Sequence, residues 1–377
     1  MADYNSGFQI QERGFLKKLD WNFIIPVMTL HVIGIINLYS ATHGLGAVQT
    51  DRLFLSQVFW LLKGWVVFLG VTMIDYQFFI RAAYILYSLN LLALIAVKFF
   101  GKVALGAQRW LDLGVFSYQP SETMKLALVL VMAKLLSQKS FNLGMGLKDL
   151  AFPLLIIVGV PFLITAEQPD LGTAMMLMII GSSLLFFVRI RRAILVGLTA
   201  VTLMVATGAW FFGMRDYQKH RIYTFLDPAS DPRGKGYNSI QSKIAVGSGQ
   251  IFGKGFRKGT QSQLEFLPER HTDFIFSVLS EEWGFFGSFF TVSVFGLLFM
   301  SMIRIASHAR DKAGALLTVG VTATLFWHMF VNVSMVIGLL PIVGIPLPLL
   351  SYGGSNMLTT MAALGLVSSV SYRKYLF

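Results

Sequence analysis

Apolar runs of membrane-spanning length recur ten times along this chain, at about 22–41, 53–74, 78–98, 120–137, 151–166, 170–188, 193–213, 274–303, 314–340 and 350–371. Lipid offers no partner to a backbone N–H or C=O, so each run must satisfy its own main chain, which a helix does within one segment. The expected fold is an all-α integral membrane protein of about ten transmembrane helices, forming a single polytopic domain over residues 1–377. Composition agrees, with 55% hydrophobic residues, only 13% charged and a mean hydropathy of +0.65. The polar opening Met1–Asp20 leads into a first run long enough to span, so an anchored first helix is expected rather than a cleaved leader. Residues 1–20 mix Phe8, Ile10, Phe15 and Leu16 with Arg13, Lys17 and Lys18, which suits a cytoplasmic interfacial helix or a disordered tail.

Orientation follows from cations in the short connections. One side carries fifteen: Arg13, Lys17, Lys18, Arg81, Lys134, Lys139, Lys148, Arg189, Arg191, Arg192, Arg304, Arg310, Lys312, Arg373 and Lys374. The other carries Arg52, Lys102 and Arg109. Both termini are therefore expected in the cytoplasm. Residues 214–273, between the seventh and eighth runs, then form a large extracytoplasmic loop, too long to obey the charge rule itself. The net charge of +12 suits anionic lipid or an anionic substrate. Its cations are dispersed around membrane segments, so nucleic acid is not an expected partner. The absence of cysteine excludes disulfides and thiolate metal sites.

The ionisable residues inside or beside the runs are few: Lys63, Glu122, Lys125, Glu167, Asp170, Asp273, Glu281 and Glu282. An ionisable group held where water thins out is costly and usually has a task. Asp273 ends Leu267-Pro268-Glu269-Arg270-His271-Thr272-Asp273 just before the chain turns apolar again, at the lip of the large loop. Glu122 and Lys125, three apart behind Pro120, share one helix face; they form either a wall of a polar cavity or a structural ion pair. Asp170, after Gln168-Pro169, is placed to cap the following helix, and the local sequence favours that role. Arg109, beside Trp110, either pairs with phosphate or anchors at the headgroups.

Within the loop, Arg221, Arg233, Lys235, Lys243, Lys254, Arg257, Lys258 and Arg270 stand among seven glycines from Gly234 to Gly259. Cations and close-approaching backbone N–H groups suit a phosphate or pyrophosphate, and no Walker spacing points to a nucleotide. The six histidines are scattered without a metal-binding pattern. Leu339 to Pro348 reads as non-helical backbone at the outer surface, which lipid tolerates only where protein buries it or it lines a cavity.

Taken together, Tyr118-Gln119-Pro120-Ser121-Glu122, Gln168-Pro169-Asp170-Leu171-Gly172-Thr173, the Gly234–Gly255 stretch, Leu267 to Phe274 and Gly344-Ile345-Pro346-Leu347-Pro348 through Ser355 occur in one family's order. The chain resembles the SEDS (shape, elongation, division and sporulation) peptidoglycan polymerases, on the side of the rod-shape rather than the division branch. Asn356 departs from the Ser or Ala common in that family. The resemblance implies a glycosyltransferase of the bacterial cytoplasmic (inner) membrane, acting at its outer face. It would extend glycan strands from lipid II and release undecaprenyl pyrophosphate. It places the family's essential aspartate on Asp273, puts Glu122, Lys125 and Asp170 in a central cavity, and matches Arg109 to an outer-loop arginine. It also implies a class B penicillin-binding protein as crosslinking partner within the elongation machinery.

The chemistry is consistent with that expectation. Glycosyl transfer from a pyrophosphate needs a base for the acceptor hydroxyl but no general acid, because cations or a metal stabilise the leaving anion. One carboxylate amid cations fits; a hydrolase would show a carboxylate pair. Arg221, Lys243, Lys254 and Arg270, with Mg²⁺ or Mn²⁺, are the expected pyrophosphate partners. The alternative is a lipid II flippase with Glu122, Lys125 and Asp170 along its path; clear inverted repeats are missing. A purely structural scaffold leaves the carboxylate at the loop edge unexplained.

Overall fold

The computed structural model describes residues 19–373 except 43–46, 105–106, 113, 115–116, 139–145, 169, 189–193, 195, 198–199, 202–203, 205–206, 214–215, 232–233 and 265. Apart from Leu19 and Asp20, the expected interfacial segment 1–20 lies outside the described residues, as do eight of the fifteen cations of the inner set. Asp20 caps the first helix by accepting from Asn22 N at 3.2 Å.

Three long helices open the chain: α1 (Trp21–Thr42), α2 (Ala47–Met73) and α3 (Tyr76–Phe100). A small antiparallel sheet follows, β1 (Lys102–Ala104), β2 (Ala107–Asp112) and β3 (Ser117–Tyr118), paired in the order β1-β2-β3. This sheet was not foreseen in an all-α chain. Next come α4 (Pro120–Ser137), α5 (Leu147–Ala151), a π-helical turn over Phe152–Val158, α6 (Gly159–Glu167) and α7 (Leu171–Phe186). The Tyr87 hydroxyl meets the carbonyls of Ile156 and Ile157 that the π turn displaces, at 3.2 and 3.1 Å. The apolar run 193–213 is described only in part.

Six helical stretches are long and apolar enough to cross a membrane: Trp21–Thr42, Arg52–Met73, Tyr76–Phe100, Asp149–Glu167, Ile275–Ser307 and Lys312–Val336. The chain is a multi-pass membrane protein. Three further expected runs are helical without meeting that standard. Helix α7 is short at 16 residues, α4 carries Glu122, Lys125 and Lys134, and the last helix, α13 (Gly354–Arg373), is rich in Ser and Thr. Their environment explains this: 14 of the 18 residues of α4 are buried among neighbouring helices, so its exterior is protein rather than lipid. Helix α4 packs between α3, α7 and α12 (Lys312–Val336), while α13 lies along α2.

The segment 214–273, expected as a large loop, contains helices α8 (Asp216–Leu226), α9 (Lys235–Ser248) and the short α10 (Thr260–Gln263), with a 3₁₀ turn at Pro228–Ser230. Its glycine-rich part is committed to packing. Helix α11 (Ile275–Ser307) breaks at Gly284, whose φ of 65° and ψ of −158° suit glycine alone. The break frees carbonyls and N–H groups, and the irregular 250–255 segment takes them up. Lys254 N and Gly255 N donate to Glu281 O and Glu282 O (3.0 and 2.9 Å), while Phe285 N and Phe286 N donate to Gln250 O and Ile251 O (2.8 and 3.2 Å).

Candidate active site

Asp273 sits at the end of a run of turns, immediately before α11 begins, and Phe274 behind it is buried. Three successive carbonyls fix this segment. Tyr352 N donates to His271 O at 2.9 Å, Ser351 Oγ to Thr272 O at 2.7 Å, and Asn332 Nδ2 to Asp273 O at 2.8 Å. Asn332 Nδ2 also reaches Ile345 O at 2.7 Å, so one buried amide of α12 joins the catalytic-loop candidate to the non-helical stretch that follows. That stretch, 338–352, is the irregular backbone expected from Leu339 to Pro348, and protein buries Ile345, Leu347, Leu349 and Leu350 within it. Gly344, at φ 75°, leaves room for the carboxylate: a Cβ there would stand 3.1 Å from Asp273 Oδ2. The Asp273 side chain is half-buried.

The same stretch meets a second carboxylate from its other side. Gly172 packs so closely on Val343 that a Cβ would lie 2.9 Å from Val343 O. Asp170, just before it, accepts from Thr173 N at 3.3 Å and so caps α7 as the local sequence suggested. Its other oxygen faces Arg109 Nε from β2 at 3.7 Å. Asp170 therefore fills the capping role and also faces Arg109.

Glu122 and Lys125 form a buried pair at 2.8 Å, and Lys125 Nζ lies a further 2.8 Å from His328 Nε2 on α12. An ammonium only donates, so this imidazole nitrogen accepts and the ring is neutral. With Thr324, Asn356 and Thr360 the three line a narrow cavity between α4, α12 and α13. The cavity and the ion pair coexist, and Asn356, where the chain departs from the family pattern, is part of the wall.

The four candidate loop cations separate. Arg221 lines a small cleft with Thr224, Phe225, Ser239 and Ile342, one residue from the Val343–Gly344 segment. Lys243 is exposed and its stem lies against Gly338. Lys254 instead turns inward, 2.8 Å from the fully buried Glu281, which also accepts from Gln261 N at 3.0 Å. Arg270 is buried, and its Nε donates to Ala41 O at the C-terminal end of α1 at 2.6 Å. Arg221 and Lys243 thus lie against Ile342 and Gly338 of the irregular stretch, while Lys254 meets Glu281 and Arg270 the end of α1.

Asn332 and His328 are contact residues of the candidate site that sequence reasoning passed over; each is a polar residue inside an apolar helix, which is the available signal. His271 titrates below its ordinary range because burial disfavours its charge; Glu269 opposes that shift and Arg270 adds to it. Among the described residues no three His, Asp or Glu side chains converge on one point. A magnesium-like ion asks for less, one or two carboxylates with substrate phosphates, and Asp273 fits that donor set.

Known proteins share this arrangement. The profile of the FtsW/RodA/SpoVE cell cycle protein family matches residues 20–376. The peptidoglycan glycosyltransferase MrdB of Escherichia coli K12 is 45% identical over 293 residues, covering 77% of this chain and 78% of its own. A chain from a structure described as coordinating polymerization and crosslinking by a peptidoglycan synthase complex superposes with a TM-score of 0.81 at 30% identity, covering 95% of this chain and 99% of that one. The rod shape determining protein RodA of Thermus thermophilus superposes with a TM-score of 0.70 at 29% identity, covering 95% and 98%. The chain belongs to the FtsW/RodA/SpoVE family of peptidoglycan glycosyltransferases.

Proposed function

We propose that this chain polymerises peptidoglycan glycan strands from lipid II for cell elongation, with Asp273 as the base that takes the proton of the acceptor 4-hydroxyl. That oxygen attacks the anomeric carbon of the lipid-linked donor from the face opposite its pyrophosphate. The bond to the pyrophosphate breaks as the β-1,4 bond forms, so the α-linked donor gives an inverted product. The proton goes to Asp273 and undecaprenyl pyrophosphate departs as an anion. Arg221 and Lys243, which lie against Ile342 and Gly338 of the stretch that carries Gly344, are the cations assigned to neutralise it. A divalent cation, held by the pyrophosphates and Asp273, would add charge neutralisation.

The observation that carries this reading is the clamp on Asp273. Three consecutive carbonyls are fixed by Tyr352, Ser351 and Asn332, which leaves the carboxylate oriented at the edge of the bundle. The reading uses about ten membrane crossings, both termini in the cytoplasm and Asp273 on the outer face. A class B penicillin-binding protein supplies crosslinking, in keeping with the synthase complex that this fold matches.

Purified chain in detergent with labelled lipid II tests it. Wild type is expected to give a glycan ladder, and Asp273→Asn, which keeps shape and size, to give none while folding normally. An active Asp273→Asn protein overturns the role. A flippase would move lipid II across vesicles without making any ladder.

A further inference from the structure

Lys63 is the intramembrane cation that the reaction does not use. It lies eleven residues from Arg52 and ten from Met73 in the span Arg52–Met73, so its Cα is roughly 15 Å from either end. The side chain is exposed on the outside of the bundle. Its Nζ rests over the rings of Phe59 and Trp60, at 4.1 and 4.9 Å, and no carboxylate pairs with it among the described residues. The climb to Phe59 leaves the ammonium seven residues short of Arg52, about 10 Å below the end of the span. A cation at that depth is costly unless an anion meets it.

The surface around Lys63 has the form of a helix-packing face. Phe59, Lys63, Val66, Gly70 and Met73 follow one another at spacings of four, three, four and three, the seam of a left-handed helix pair. All five are exposed, and nothing lies within 4 Å of where a Cβ on Gly70 would be. Helix α2 is also the least covered span, with 17% of its window buried against 28–56% in the other five. A small residue one heptad from a polar one is the pattern by which membrane helices approach and hold each other.

We propose that this face of α2 receives a transmembrane helix of another protein that carries an Asp or Glu near its midpoint, paired with Lys63. A second copy of this chain does not serve. Its mid-span acids among the described residues are buried: Glu122 on Lys125, Glu281 on Lys254 and Glu282 on Ser40. An anionic headgroup belongs at the interface, not at the depth of Phe59. The inference is independent of the proposed reaction, because Lys63 lies outside its site.

The test co-reconstitutes full-length chain in phosphatidylcholine vesicles with labelled single-span Leu/Ala peptides bearing Glu, Gln or Lys at the centre, and reads association by energy transfer. Wild type is expected to bind the Glu peptide about ten-fold more tightly than the Gln peptide. Lys63→Met should bring the two to the same level, and Lys63→Glu should favour the Lys peptide, with lipid II polymerisation unchanged in both variants. Equal binding of Glu and Gln peptides by wild type overturns the proposal. So does full Glu-peptide binding by Lys63→Met, or loss of polymerisation in that variant without any partner present. Repeating the wild-type arm with phosphatidylglycerol added separates the sources: if that lipid abolishes the Glu-peptide preference, the anion is a headgroup and the proposal fails.

Discussion

Lys125 stands between a carboxylate and an imidazole, both within 2.8 Å and all three buried. Removing one partner of a buried ion pair leaves an uncompensated charge, whereas removing both charges is far milder. Lys125→Met is accordingly expected to destabilise the protein by about 3–5 kcal/mol, with Glu122→Gln/Lys125→Met recovering most of the loss in thermal unfolding in detergent. If the double variant is stable yet inactive, the pair acts on substrate; if it is stable and active, the pair is structural. His271 gives the pH counterpart. Its folded pKa lies below the unfolded value of 6.5, chiefly through burial, so the unfolded chain binds its proton first as pH falls. The stability it contributes is present above pH 6.5 and lost on acidification below it. Melting temperatures at pH 7.5 and 5.0 should therefore diverge in wild type and converge partly in His271→Gln.

At the level of elements, the break in α11 divides the helix into a buried first part, Ile275–Glu282, that follows Asp273, and a longer part beyond Gly284. Gly284→Ala would put a methyl 2.6 Å from Ile251 O in a conformation open only to glycine. A loss of about 3 kcal/mol is expected, seen as a lower melting temperature and as faster proteolysis between Gly249 and Thr260. The break was not legible in the sequence, since its partners are some thirty residues upstream and glycine alone does not say which backbone approaches it. Lys254 was misread for the same reason: a loop cation beside glycines looks free until Glu281, 27 residues on, takes it. Asp273 and the irregular 338–352 stretch were legible because each breaks a local rule, a carboxylate at the start of an apolar run and prolines at membrane depth. Asp170 was legible as the cap of α7, because an acid just before an apolar helical run is a local signal.

For the whole molecule, the decisive quantity is the side of the membrane on which Asp273 lies. The apolar runs pointed to a helical multi-pass architecture, but interior helices such as α4 carry charges that blur a count made from composition. Eight of the fifteen cations behind the orientation lie outside the described residues, so sidedness rests on the sequence rule. The chain has no cysteine, which permits a direct measurement with single introduced thiols. Gly114 in the β2–β3 turn and Phe252 in the turn beside Gly284 are both exposed, as is Ser307 at the C-terminal end of α11. An impermeant maleimide applied to spheroplasts should label Gly114→Cys and Phe252→Cys at once and Ser307→Cys only after lysis. From Gly284, which packs against Ile251 and Gly253, to Ser307 the helix runs 23 residues, roughly 35 Å at the helical rise, so Phe252 and Ser307 cannot share a membrane face while that part of α11 spans. Labelling of Ser307→Cys alone in unlysed spheroplasts would place Asp273 in the cytosol, apart from any acceptor strand of the wall, and the polymerase mechanism would have no substrate to act on.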